Sequence, residues 1–181
     1  MTDRSTDAGA STRTSSTPWD SSWPGFVGDP GRSSVLGYFE DRFGIGLGTF
    51  DGFLLLERPQ AYWLLTHSPH VQKLKRLRVH NIGIPLLRKM KQHLKPTTTA
   101  IQIFGPRATR NVLDLDRHQL ALVLGQKEIS MCLPPTVGYV ILTYHQHVIG
   151  CGLYTGRKLL SQIPQSLFAS PPKLTSGEFS E

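Results

Sequence analysis

The segment GYVILTYHQHVIGCGLY, Gly138–Tyr154, restricts the possible folds of this chain more than any other stretch. Tyr139–Tyr144 is rich in β-branched and aromatic residues, His145-Gln146-His147 makes a turn, and Val148–Tyr154 returns, which is the pattern of a β-hairpin. Glycines at 150 and 152 remove side chains from one face of the returning strand. Glycine inside a strand marks a bulge, a tight bend or the close approach of another backbone. The hairpin closes a longer stretch, from Lys95 to Leu160, around which the rest of the chain is organised.

Charge narrows what could approach that face. The formal net charge of +7 is unevenly spread: residues 1–32 hold three Arg against four Asp, while Arg58 to Leu113 contains no Asp or Glu. Arg58, Lys73, Lys75, Arg76, Arg78, Arg88, Lys89, Lys91, Lys95, Arg107 and Arg110 all fall in that acid-free segment. Eleven cations with no acid between them repel one another unless a polyanion lies nearby, so the segment reads as a phosphate-binding footprint on one continuous face. In such a chain, the backbone that approaches the bare glycine face can be nucleic acid.

In chain order, residues 1–32 are dominated by Ser, Thr, Gly, Asp and Pro and read as a disordered leader. Trp19, Trp23 and Phe26 are its exceptions, able to dock on the domain or on a partner. A helix starts near Ser34 as N-cap, with Val35, Leu36, Phe39 and Phe43 on one face and Gly44 as its stop. Phe53–Glu57 and Tyr62–His67 read as strands, Ser68-Pro69 as the start of a short helix to about Leu74, Leu77–Ile84 as a strand, and Leu86–Met90 as a short helix or turn.

A second module opens at Lys95-Pro96, with Thr97 or Thr98 capping a helix to Phe104. Asn111–Leu115 is a strand, Asp116 caps a helix over Arg117–Leu124, Glu128–Met131 is a short strand, and Lys158–Ile163 adds a last one. The expected organisation is a leader (1–32), a mixed module (33–92), a small β-barrel (93–168) and a flexible tail (169–181). The fold class is α+β.

Signs of catalysis are weak. Gly44, Gly46 and Gly48 precede no helix long enough for a cofactor-binding turn. His145 and His147 lack a third ligand where zinc sites have three or four. Asp114 and Asp116 are paired carboxylates, but Asp116 is explained as a cap. Cys132 and Cys151 read as reduced thiols. We therefore expect no catalytic residue, no metal and no cofactor. No apolar run approaches the roughly 20 residues of a membrane span and the N-terminus has no signal-peptide core, so a cytoplasmic chain is expected.

The order of FEDRFGI, FDGFLLLE, AYWLLT, NIGIPLLRKM, LKPTTTAIQIFG, NVLDLD and GYVILTYHQHVIGCGLY resembles the C-terminal RNA-binding region of the Sun-type RNA cytosine-5 methyltransferases. The last part is similar to the PUA domain, a small RNA-binding pseudobarrel also found in ribosome-biogenesis proteins. That resemblance implies a PUA-like β-pseudobarrel gripping RNA between its first helix and late strands. It implies a site of Lys95, Thr97, Thr98, Gly150, Cys151, Gly152 and Tyr154. The basic residues above other than Arg58, with Tyr144 as a stacking ring and Arg157 and Lys158 beyond the hairpin, complete the expected RNA-binding set. The expected function is non-enzymatic binding of tRNA or rRNA, in RNA modification or ribosome biogenesis. The alternatives are a protein-interaction module or an accessory subunit of a separate RNA methyltransferase, and the ribosome or an RNA-modifying enzyme is a further candidate partner.

Overall fold

In the computed structural model, the described residues are 25–71, 73, 82–125, 128–130 and 136–164. Helix α1 (Gly31–Phe43) buries Val35, Leu36, Phe39 and Phe43 and ends at Gly44, whose φ of 67° is the left-handed conformation of a C-terminal glycine stop. It begins earlier than the expected Ser34 cap, behind Pro30, and no side chain caps its first turn.

Order also reaches further back than a leader ending at residue 32 allows. Strand β1 (Gly25–Phe26) pairs with Glu57 and Leu56 of β2 (Phe53–Arg58), and the Val27 N–H donates to the Leu55 carbonyl at 2.9 Å. Arg32 adds a 2.7 Å bond to the Phe50 carbonyl. Main-chain pairing with an edge satisfies these residues, a source of order that their composition does not display. Trp19 and Trp23 lie outside the described residues, as does the expected tail.

Five antiparallel strands follow one another in space as in sequence: β1, β2, β3 (Ala61–Thr66), β4 (Ile84–Lys89) and β5 (Leu94–Pro96). Strand β4 replaces the helix or turn expected over Leu86–Met90. Leu86 and Leu87 are both fully buried, so the apolar/polar alternation that would announce a strand is missing, and a register shift falls at Leu86, between Leu87 opposite Tyr62 and Pro85 opposite Trp63. Most of the strand expected over Leu77–Ile84 lies outside the described residues. Of the helix expected from Ser68, the described part shows turn bonds from the Val71 N–H to the Ser68 carbonyl and from Lys73 to His70.

Thr97 settles which threonine caps α2 (Thr98–Phe104): its hydroxyl accepts from the Ala100 N–H at 3.1 Å. At α3 (Arg117–Gly125) the cap is reciprocal, the Gln119 N–H donating to the Asp116 carboxylate at 2.7 Å and the Asp116 N–H to the Gln119 side chain at 3.0 Å. The second sheet contains β6 (Val112–Asp114), β7 (Glu128–Ser130), β8 (Gly138–Tyr144), β9 (His147–Tyr154) and β10 (Lys158–Ser161), in the order β6-β8-β9-β10-β7. Among the described residues, only the β6–β8 ladder of this sheet is parallel. The hairpin turn is His145-Gln146, with φ of 48° and 67°, the type I′ conformation that matches strand twist.

The described strands do not close a barrel. Both sheets are open, the second ending at β6 and β7, which are joined in sequence through α3 and share no ladder. The described residues form two five-stranded sheets with helices, within the expected α+β class. Two cores use opposite faces of the second sheet. The first joins α1, β2 to β4 and α2 to Tyr139, Ile141 and Cys151, and the second joins α3 to Val140, Leu142, Tyr154, Leu159 and Ile163. Strand β8 is buried on both faces, which is why VIL reads as a continuous apolar run. The first core and the β4–β5 ladder both run across the division expected at 92/93. No helix among the described residues is long and apolar enough to cross a membrane.

Candidate nucleic-acid interface

Strand register brings sequence-distant cations together. Arg58 of β2 lies opposite Ala61, Ala61 opposite Arg88, and Arg88 opposite Lys95. Positions in register share a sheet face, so Arg58, Arg88 and Lys95 form one row across four strands, with the small Ala61 as its gap. Arg88 is exposed, and Arg58 and Lys95 are half-buried. The Arg58 guanidinium stands 5.5 Å from the centre of the Trp63 ring, a cation–π arrangement on the same face. Lys95 also donates to the Gln162 side chain, which ties the row to the end of the second sheet.

The other described cations lie on the opposite side of β4 or on other segments. Lys89 points to the opposite side of β4 from Arg88, where it pairs with Glu57 and lies 4.5 Å from the Tyr62 ring centre. Arg107 and Arg110 are exposed on the α2–β6 connection, and Arg110 donates to the Glu40 carbonyl at 3.0 Å, near the negative end of the α1 dipole. Arg157 is exposed in the β9–β10 turn, and Lys158 forms an ion pair with Glu128. Lys73 and Lys91 are exposed and Thr98 is half-buried. Lys75, Arg76 and Arg78 lie outside the described residues. Tyr144 is half-buried, its ring 4.2 Å from that of His145.

The residues expected around the hairpin are packed inside the protein. Thr97 is 9% exposed, Cys151 0% and Tyr154 3%, and Gly150 and Gly152 are buried. Thr97 spends its hydroxyl on the helix cap and the Pro85 carbonyl, and Tyr154 donates to the Gly156 carbonyl at 2.8 Å. A Cβ at Gly152 would sit 2.7 Å from Leu159 Cδ1, and one at Gly150 2.7 Å from Ile163 Cγ1. The backbone that the bare face admits is therefore covered by the protein's own Leu159 and Ile163, not left open to a ligand. Gly152→Val should lower stability by about 1–3 kcal/mol through overpacking of the second core, read as a lower urea midpoint with an unchanged slope.

Burial also decides the chemistry of the thiol. The Cys151 thiol is pushed up to about 11, with nearby Lys95 opposing the shift, so it is protonated near neutral pH and is a poor nucleophile. The phenols of Tyr38 and Tyr139 are likewise held above the usual range by burial. Among the described residues, no three His, Cys, Asp or Glu side chains converge as metal ligands. The paired carboxylates have separate duties, Asp114 accepting from the Thr143 hydroxyl at 2.8 Å and Asp116 capping α3. Sequence reasoning passed over Arg42, which binds the Thr136, Val137 and Tyr139 carbonyls at 2.6–3.0 Å and fastens α1 to the entry of β8. Its guanidinium is partly desolvated, which lowers its pKa from the ordinary value.

Fold and site together define an α+β protein with a basic row on one face of an antiparallel sheet. No family model matches the chain. Over 137 residues the chain is 30% identical to the ribosomal RNA small subunit methyltransferase F of Shewanella woodyi. The match covers 75% of this chain and 28% of that protein, which supports a relation to the Sun-type methyltransferases.

Proposed function

We propose that this chain is an RNA-binding protein, with ribosomal RNA or tRNA as its target, and that it contributes binding and not catalysis. The observation that carries this reading is the row Arg58, Arg88 and Lys95, three cations from the acid-free segment aligned on one sheet face. A row of that kind meets a phosphate backbone without reading sequence, so it supplies affinity and orientation. The relation to a ribosomal RNA methyltransferase favours ribosomal RNA within that class. The chain's similarity to 28% of the methyltransferase also favours a second reading, in which it positions RNA for a methyltransferase, and co-purification with an activity assay tests that version.

The binding reading is tested with Arg88→Gln, a change at an exposed position. It should weaken binding to a ribosomal RNA fragment and to tRNA by a similar factor, and flatten the dependence of log affinity on log salt by about 0.7–0.9. Equal affinity and equal slope in parent and variant would remove Arg88 from the interface.

A further inference from the structure

We infer that the Arg58–Arg88–Lys95 row is a platform for an unpaired RNA strand, one base stacking on the Arg58–Trp63 pair while Arg88 and Lys95 hold the adjoining phosphates. The inference rests on the RNA-binding reading and names the form of RNA that it takes. Three features of this face select a single strand over a duplex.

The first is the planar group at one end of the row. With its guanidinium over the Trp63 ring, 5.5 Å from the ring centre, Arg58 offers a flat cationic surface backed by an aromatic one, and unpaired bases stack on guanidinium planes. Bases inside a duplex are already stacked on each other and cannot use it. The second is the state of Trp63, which is half-buried while its indole N–H is enclosed and makes no hydrogen bond. What Trp63 offers is ring surface and not a donor, the contact that accepts any base. The third is shape. The row crosses four strands at a spacing of about 4.8 Å, a straight track of about 14 Å. It lies along the sheet, and duplex RNA is read by elements that span its shallow minor groove.

The test uses the full chain and two labelled probes, a mixed-sequence unpaired oligoribonucleotide of about ten nucleotides, within the usual site size, and the same sequence in a blunt duplex. The unpaired strand should bind about tenfold more tightly than the duplex at equal salt. Arg58→Lys keeps the charge and loses the plane, so it should weaken binding of the unpaired strand about tenfold with the salt slope unchanged. Thermal melts of parent and variant verify that folding is equal. A duplex bound as tightly as the single strand, or an Arg58→Lys protein that binds the unpaired strand like the parent, overturns the inference and leaves RNA binding standing. If neither probe binds, the RNA-binding reading itself falls.

Discussion

Phe39→Ala is expected to lower the unfolding free energy by about 3–5 kcal/mol. Phe39 is 0% exposed in the middle of α1, its ring 5.6 Å from Tyr38, 6.0 Å from Phe43 and 5.5 Å from Phe50, and Phe50 in turn lies 5.0 Å from Phe104 of α2. Removing it loses the apolar transfer term, opens a cavity in a core that α1 and α2 share with both sheets, and deletes edge and tilted ring contacts of about 0.5–1.5 kcal/mol per pair. The surrounding rings are held by separate elements, so they cannot collapse into the gap without moving a helix. Urea titration followed by far-ultraviolet circular dichroism measures the loss. A change below about 1 kcal/mol would mean that the aromatic cluster is not the joint between the two sheets.

Gly83→Ala is expected to cost about 2–5 kcal/mol, combining left-handed backbone strain with overpacking. Gly83 has φ of 72° just before β4, and a Cβ there would lie 2.0 Å from the Leu64 carbonyl oxygen and 2.9 Å from its carbon. The obstacle is main chain, and Leu64 is already fixed by its pairing with Leu55 and Ile84, so relief requires distortion of the β2–β3–β4 ladder. Gly37→Ala is the control: it lies inside α1 with no atom within 4 Å of the new methyl, and should stabilise by about 0.5–1 kcal/mol. The two variants should move the melting temperature in opposite directions.

These positions show what sequence carried and what it did not. The stop at Gly44, the caps at Thr97 and Asp116, and the hairpin around His145-Gln146 depend on residues close in sequence, and they were legible as local chemistry. Strand β4 was obscured because Leu86 and Leu87 are both buried at a bulge, which erases the period-two signal. Gly150 and Gly152 pointed to the close approach of another backbone, but the atoms beside them belong to the side chains of Ile163 and Leu159, which arrive from β10 and the residues beyond it. Composition favoured a phosphate, and tertiary packing supplied two aliphatic side chains. For the candidate site, the acid-free segment announced cationic character, whereas the alignment of Arg58 with Arg88 and Lys95 depends on the register of four strands. A shift of one residue in β4 would have put Lys89 in the row in place of Arg88.

The salt dependence of RNA binding tests the central claim most directly. If Arg88 and Lys95 each meet a phosphate, log affinity for an unpaired ribosomal RNA fragment should fall with log salt at a slope of about −1.4 or steeper. The double variant Arg88→Gln, Lys95→Gln should have a slope flatter by about 1.4. A parent slope near zero, or a double variant as salt-sensitive as the parent, would contradict the assignment of this sheet face to RNA.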